Sequence, residues 1–424
     1  MKILLLNLPM EVDQEQASAR FFPQNLALIS ALLKNFGQEV ELLDLYQYGL
    51  NKSLLIPKAE KSEAVAFGGM INQFKTMRQI SKWLKETNPE LPLILGGPLA
   101  SAAPKLIKDA LLVEVVISGE AELVLKQVFA GKKINSGIYQ AKDMCDLNQQ
   151  PQPDFDLFDV NWYLAGPQRV HLQNLFGDRK TLNNYIFSRG CPNQCKFCFK
   201  GFGHQVRTLN LKCVLRQLDY FWLQGARAIN FQDDNFTSLP RNFLLGLCRE
   251  LAARNIVWSA HSRVDQVDKK LLKLFKNNGC VALKFGLESF SQQALKNSGK
   301  NISVRQTKNV FEKVRQSGIE VIAFVILGLP GETKQTLKEL LEFIKANQIN
   351  TIPYILCLLP GTYYFEQAKK QGLIPDTLAF LEKCSGWERN QIRAGKLYAN
   401  LTDLPDNLIL ETYQGLQDLN LRQP

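Results

Sequence analysis

The chain has 424 residues, of which 46% are apolar and 21% charged, with a formal net charge of +11. This is a globular composition, and it excludes global disorder and collagen-like repeats. At roughly 150 residues per domain the length predicts two or three domains, and no window approaches the ~18 uninterrupted apolar residues of a membrane span.

Residues 1–150 are electrically balanced, with 16 basic and 16 acidic side chains, so the rest carries the whole excess as 35 basic against 24 acidic. Such an excess suits nucleic acid, an acidic peptide or an anionic cofactor, and equally a solvated surface on Lys-rich helices. Charge alone decides nothing. The first apolar run, Ile3 to Leu6, is cut by Asn7 and Pro9, which is too short for a signal-peptide core. A soluble, cytoplasmic protein is expected.

The first 130 residues alternate strand and helix patterns. Strands are predicted at Lys2–Asn7, Val40–Leu43, Ala64–Gly68, Leu93–Leu95 and Val113–Ile117, with amphipathic stretches such as Asn25–Asn35 and Lys75–Lys85 between them. This alternation predicts an α/β, doubly wound parallel sheet, in which ligands bind at the carboxyl ends of the strands. Those ends carry NLP at Asn7–Pro9, GGM at Gly68–Met70, GGP at Gly96–Pro98 and SGEAE at Ser118–Glu122. Glycines there either admit a bulky ligand to the backbone or simply make tight turns.

Residues 131–180 read as a linker, with QQPQPDF at Gln149–Phe155 too polar and Pro-rich for an element interior. Beyond it a second alternation begins. Strands are predicted at Tyr185–Ser188, Ala228–Gln232, Val257–His261, Ala282–Gly286, Val321–Leu327 and Ile352–Leu358. Helices are predicted at Leu211–Leu223, Arg241–Arg254, Lys269–Asn277, Val304–Ser317 and Lys334–Ala346. Six βα units over 181–372 predict a partial (β/α)6, TIM-like barrel with its chemistry at the carboxyl ends of the strands. A short helical tail, 373–424, completes the chain.

Cysteine carries the sharpest signal. None of the nine precedes Cys145, and Cys191, Cys195 and Cys198 stand together as CPNQCKFC, directly after the first barrel strand. An odd number of cysteines with three clustered is not a secreted disulfide framework, and it points to metal in a reducing compartment. Three thiolates on one loop can hold three irons of a cubane and leave the fourth open. A structural zinc site asks for a fourth protein ligand, for which His204 is the nearest rival.

This C-x3-C-x2-C motif at the head of a six-unit barrel resembles the radical S-adenosylmethionine superfamily, over about residues 180–372. The resemblance implies a 4Fe-4S cluster on Cys191, Cys195 and Cys198. It also implies S-adenosylmethionine on the open iron, and its reductive cleavage to a 5′-deoxyadenosyl radical that takes hydrogen from unactivated carbon. Later strand ends extend it. NFQDDNF (Asn230–Phe236, with Asp233 and Asp234) resembles the segment that contacts the methionine amino group. SRVD (Ser262–Asp265, with Arg263) and FGLES (Phe285–Ser289, with Glu288) resemble polar contacts to the cofactor. VILGLPGET (Val325–Thr333, with Leu327) resembles the loop supporting the adenosine, LLPGT (Leu358–Thr362) closes the barrel, and Phe197 matches the aromatic position beside the adenine. Taken singly, Asp233, Asp234 and Glu288 are ordinary solvated loop acids and Arg263 a surface ion pair. Their common place at strand ends is what raises them.

The N-terminal 130 residues resemble the cobalamin-binding-type domain of one subfamily, on Phe22–Leu45, GGM, GGPLAS and SGEAE. That implies cofactor contacts from Asn7, Met70, Gly97, Ser101, Gly119 and Glu120. Residues 1–170 contain no histidine, so no D-x-H-x-x-G motif exists to ligate cobalt; Met70, Ile71 and Asn72 are the candidates to pack the lower face. The domain also lacks the cysteines of tRNA methylthiotransferases. The leading expectation is a cobalamin-dependent enzyme that methylates unactivated carbon of a small molecule or peptide. Its reductant would be a flavodoxin or ferredoxin, and neither membrane nor nucleic acid is expected as a partner. The alternative is an epimerase or rearrangement enzyme, acting on a ribosomal peptide, with a degenerate cobalamin domain. In that reading Cys357, near the end of the sixth strand, is the hydrogen-atom donor, against its plain reading as a small buried hydrophobe.

Overall fold

The computed structural model describes residues 1–9, 19–131, 133–167 and 170–421. Two six-stranded parallel sheets organise it. The first comprises β1 (Lys2–Asn7), β2 (Glu39–Asp44), β3 (Ala64–Gly68), β4 (Leu93–Gly96), β5 (Val115–Ser118) and β6 (Gly137–Gln140), in the order β2-β1-β3-β4-β5-β6. Strand order reverses between β1 and β3, which opens a crevice at their carboxyl ends. Both faces of this sheet are covered, and for that reason β1 reads as an unbroken apolar run. Leu4, Leu6, Val65, Phe67, Leu93 and Leu95 pack on Phe74, Met77, Ile80 and Leu84 of the helix Phe74–Thr87. Ile3, Leu5, Ala64, Ile94 and Val115 pack on the opposite side against Leu32 and Leu33 of Gln24–Asn35 and Val124 and Leu125 of Ala121–Val128.

Residues 131–180 hold more order than a linker. They add β6 to the sheet in parallel register with β5, and they form the helices Val160–Leu164 and Val170–Phe176. Leu172 and Phe176 of the latter pack with Ala228, Ala282 and Ile322, one from each of three barrel strands, so this helix floors the second sheet.

That second sheet is built from β7 (Thr181–Tyr185), then, beyond the two-residue ribbon of β8 (Ser188–Arg189) and β9 (Arg207–Thr208), from β10 (Ala228–Phe231), β11 (Val257–Ser262), β12 (Cys280–Glu288), β13 (Glu320–Leu327) and β14 (Asn350–Ile355). Its order, β14-β13-β12-β11-β10-β7, is the sequential order of an open half-barrel. Two expected strands are displaced. The first barrel strand lies at Thr181–Tyr185, before the expected Tyr185–Ser188, because its core residues include Asn183, a polar side chain buried on the lumen side. The sixth begins two residues early and ends at Ile355, where the Leu356 N–H bonds to the Leu327 carbonyl at 2.8 Å and the chain turns away.

The tail closes the open side. Helix Asp406–Leu421 packs along β14, and the side-chain amide of Asn420 pairs with the free backbone edge of that strand. It accepts from Thr351 N–H at 2.9 Å and donates to Thr351 C=O at 2.7 Å.

Phe22 ties the parts together. It is fully buried and makes edge-on contacts, 5.2–5.7 Å between centroids, with Phe155, Phe158, Tyr163 and Phe221, which reach it from the 131–180 segment and from the helix Leu211–Leu223. Truncating such a side chain leaves a cavity lined by four rings, and Phe22→Ala should cost about 3–5 kcal/mol. Urea unfolding monitored by tryptophan fluorescence measures this, and a loss below about 1 kcal/mol would show that the hub is not load-sharing between the domains.

Candidate active site

The three cysteines lie on the loop that leaves β8 and returns through β9. Gly190 begins it at φ +90°, and a Cβ there would overlap the Gln205 carbonyl oxygen, so only glycine fits. Below the ribbon, Asp233 is fully buried. Its Oδ1 accepts from Phe187 N–H (3.1 Å), Ser188 N–H (2.7 Å) and Ser188 Oγ (2.5 Å). Asp234 is exposed and accepts from the Gly190 N–H, so the QDDN segment braces the start of the loop from the barrel side. The Lys196 N–H bonds to the Ser298 carbonyl at 2.9 Å.

Beside the loop stands a buried charged pair. Glu288 ends β12 at φ +61°, a left-handed conformation costly for a non-glycine residue, and Lys300 Nζ donates to its carboxylate at 2.7 Å. Arg263 is also buried; it makes a forked pair with Asp265 (3.0 and 2.9 Å) and bonds to the Lys300 carbonyl. The Cys195 thiol is drawn down to about 6, first by the hydrogen bond it receives from Cys198, with Lys300 and Arg263 adding positive charge. Cys198 is correspondingly pushed up by the same bond. Among the described residues no three His, Cys, Asp or Glu side chains are disposed to hold a single ion together; a cubane places each thiolate on a different iron. One loop of three thiols, one of them acidified beside Lys300, is a donor set that fits a cluster.

The other strand ends supply unsatisfied polar atoms, as a site for a polar ligand requires. Asp233 Oδ2, Asn235 Nδ2 and Gln232 Nε2 are buried without hydrogen-bond partners at the end of β10. Glu332, raised to about 7 by burial, ties two loops by accepting from Ser289 Oγ at 2.6 Å and Gly328 N–H at 2.8 Å. Phe197 packs against the barrel core. Leu327 lies in the helix-side core with Val321, Ala323 and Val325, so only its backbone reaches the strand end. Cys357 stands two residues beyond β14, packed on the core near Cys384 and Glu388, with its thiol pushed well up by burial. Its expected place on the sixth strand is thereby corrected.

In the first sheet the strand ends divide into two kinds. Gly97 and Gly119 take φ of +88° and +87°, and Gly68 and Gly97 lie where a Cβ would press on the backbone of the neighbouring loop. Ser101 Oγ bridges those two turns, donating to the Gly97 carbonyl and accepting from Gly119 N–H at 2.9 Å. Gly96 instead faces open space, Met70 is 44% exposed, and Asn72 Oδ1 is buried without a partner. These fit a large ligand held by shape and backbone, without a histidine. Asn7 and Glu120 are occupied elsewhere. The Asn7 amide donates to Asp44 (2.8 Å) and to the Tyr163 hydroxyl (2.9 Å), and both Glu120 oxygens are taken by Arg207. The residues missed in the sequence are the cationic partners Lys300, Arg189 and Arg207; no local pattern marks a partner 12 or 87 positions away.

The carboxyl ends of the two sheets face each other. Besides Glu120–Arg207, Ser385 Oγ donates to the Asn72 carbonyl at 2.9 Å, and Phe199 of the cysteine loop, Gly361 of the last barrel loop and Ala102 after β4 meet at one point.

Residues 185–344 match the family model of the radical SAM superfamily, and residues 15–129 that of the B12 binding domain. The chain is 26% identical over 318 residues to an uncharacterized methyltransferase of Pyrococcus horikoshii, covering 70% of this chain and 67% of that one. It is 27% identical over 274 residues to the anaerobic magnesium-protoporphyrin IX monomethyl ester cyclase of Rubrivivax gelatinosus, covering 60% and 49%. The chain thus spans about half to two thirds of the length of these curated relatives. In fold it is similar to the radical S-adenosylmethionine methyltransferase TsrM from Kitasatospora setae, solved with cobalamin and a 4Fe-4S cluster. The TM-score is 0.67 at 16% identity, over 87% of this chain and 75% of that one. The half-barrel is therefore a radical SAM domain. With the B12-binding domain before it, the chain has the architecture of the cobalamin-dependent radical SAM enzymes, whose cofactors are a 4Fe-4S cluster, S-adenosylmethionine and cobalamin.

Asp233 allows a test of the site's electrostatics. Burial raises its carboxyl from 3.8 to about 7, so the folded chain keeps a proton that the unfolded chain releases. Its stabilising contribution is full below about pH 4 and is lost as pH rises to about 7. In Asp233→Asn that decline disappears, and the melting temperature of the variant relative to wild type should climb between about pH 4 and about pH 7 and level off above it. A difference that stays flat across this range would mean that Asp233 is ionised in the fold.

Proposed function

We propose that this chain is a cobalamin-dependent radical SAM methyltransferase acting on a carbon centre of a substrate held in the barrel lumen. The observation that carries the reading is the apposition of the two carboxyl edges, where Phe199 of the cysteine loop and Gly361 converge on Ala102 of the helix after β4 and Ser385 bonds to the Asn72 carbonyl after β3. When bound, the cluster with S-adenosylmethionine supplies a one-electron cleavage that yields a hydrogen-abstracting carbon radical, and cobalamin supplies a transferable methyl group.

The chain's own residues then have separable tasks. Cys191, Cys195 and Cys198 would hold the cluster. Asp234, Arg263 and the Glu288–Lys300 pair would receive the charged end of S-adenosylmethionine, with Phe197 against its adenine. Met70, Gly97, Ser101 and Gly119 would line the corrinoid face, with Asn72, whose Oδ1 is buried without a partner, following β3 beside them. The lumen would orient the substrate. It is polar at mid-height, with Ser259 Oγ donating to Asn230 at 2.9 Å and Lys284 bonded to the same Asn230 oxygen, and its β13–β14 wall is aromatic, with Phe324 stacked on Tyr354. A small one-electron donor such as flavodoxin or ferredoxin would reduce the cluster. The epimerase alternative loses support with Cys357 off the strand and with methyltransferases among the relatives.

Two measurements decide this. After anaerobic reconstitution the wild-type chain should hold about four irons and cleave S-adenosylmethionine to methionine and 5′-deoxyadenosine, while each of Cys191→Ala, Cys195→Ala and Cys198→Ala should lose cleavage altogether. Full iron in the triple variant would move the cluster elsewhere. Titration with hydroxocobalamin should then saturate at one equivalent with no histidine involved; absence of binding at stoichiometric concentration would remove methyl transfer and leave only the radical chemistry.

A further inference from the structure

The cysteine loop, residues 190–206, leaves and returns through a ribbon of only two residue pairs, Ser188 with Thr208 and Arg189 with Arg207. Both arginines find their carboxylates in the other domain. Arg189 Nη2 donates to Glu122 at 2.5 Å, and its Nη1 lies 3.6 Å from Glu120. Arg207 forks onto Glu120, with Nη1 donating to Oε2 at 2.9 Å and Nη2 to Oε1, and Nη1 also reaches the Cys145 carbonyl at 2.8 Å. Glu120 Oε2 takes the Cys145 N–H at 2.7 Å.

All four charged side chains are nearly excluded from water, between 3% and 13% exposed, and two cations face two anions. In such surroundings charge attraction is little screened, and the fork fixes orientation as well as distance. The Glu120 carboxyl is held at about 2, against the cost of its burial, by Arg207, Cys145 and Arg189. Glu120 is the N-cap of the helix Ala121–Val128 and Glu122 lies in its first turn, just after β5, so both sit at the carboxyl edge of the first sheet.

The geometry points to Glu120 and Glu122 as positioning residues for the iron–sulfur loop. The B12-binding domain supplies the counter-charges that fix the root of that loop, so part of the cluster site's scaffold lies outside the radical SAM domain. Docking of the two domains and shaping of the loop are then one event, and the spacing between cluster and corrinoid is set at this junction. The last consequence rests on the proposed function; the clamp itself does not.

The test uses the full-length chain, first without cofactors and then reconstituted, as wild type, Glu120→Gln/Glu122→Gln and Arg207→Lys. Amide hydrogen exchange over 187–209 should rise at least tenfold in the double variant while that of β11 to β13 is unchanged. Iron loss to a chelator should quicken several-fold, and the EPR signal of the reduced cluster should broaden. Arg207→Lys keeps the charge and loses the fork, and it should fall between wild type and the double variant; it carries the test if the double variant does not fold. Exchange within twofold of wild type overturns the inference. So does weakened cobalamin binding with an unchanged loop, which would make Glu120 a corrinoid contact. Failure of wild type to bind iron would strike the proposed function instead, since the exchange measurement needs no cofactor.

Discussion

The chemistry of this chain depends on how a seventeen-residue loop, 190–206, is held at its root. A ribbon of two residue pairs is far too short to order a loop by itself, and the entropy of closing it is met by neighbours on three sides. Gly190 lets the backbone pass under the Gln205 carbonyl. Asp233 gathers the Phe187 and Ser188 donors from below. Two carboxylates of the other domain hold the arginines from the side. The cysteines are thus placed by residues other than cysteine, two of them from the first domain.

The barrel lumen shows a second division of labour. Outward-facing residues of the strands, such as Phe231, Trp258, Phe285 and Val321, make one continuous apolar core with the helices. The inward-facing set is polar at mid-height and aromatic along one side, with His261 edge-on to Phe324. Lys284, Asn230, Ser259 and Asn183 are all buried there, and their mutual bonds satisfy most of what their burial would otherwise cost. Such a network gives the middle of the lumen a fixed shape, which an apolar lumen of flexible side chains would lack.

Much of this organisation was legible in the sequence, and the exceptions have physical causes. Strands covered on both faces announce themselves as apolar runs, as in β1 and β3. The same rule hides β7, because TLNNY turns asparagine toward a polar lumen, and it hides β6, a half-exposed edge strand of GIYQ. The cysteine spacing identified the loop because three thiols at that spacing have few other uses. What spacing does not reveal is the partner of a charged residue. Glu120 and Asn7 sit where cofactor contacts were expected, at strand ends, yet both serve the domain junction. Position along a strand specifies an edge, and only the packed structure says which neighbour occupies it.

An open half-barrel also carries a hazard that a closed one lacks, since its last strand presents unpaired donors and acceptors to any passing chain. Here a single amide side chain answers it. Asn420 offers Thr351 the donor and acceptor that a seventh strand would have offered, from a helix that cannot itself be extended by strand addition. The edge is thereby made blunt toward its own kind by a helix, while the carboxyl end of the same sheet is met by the other domain, so the two exposed aspects of an open barrel are covered by different parts of the chain.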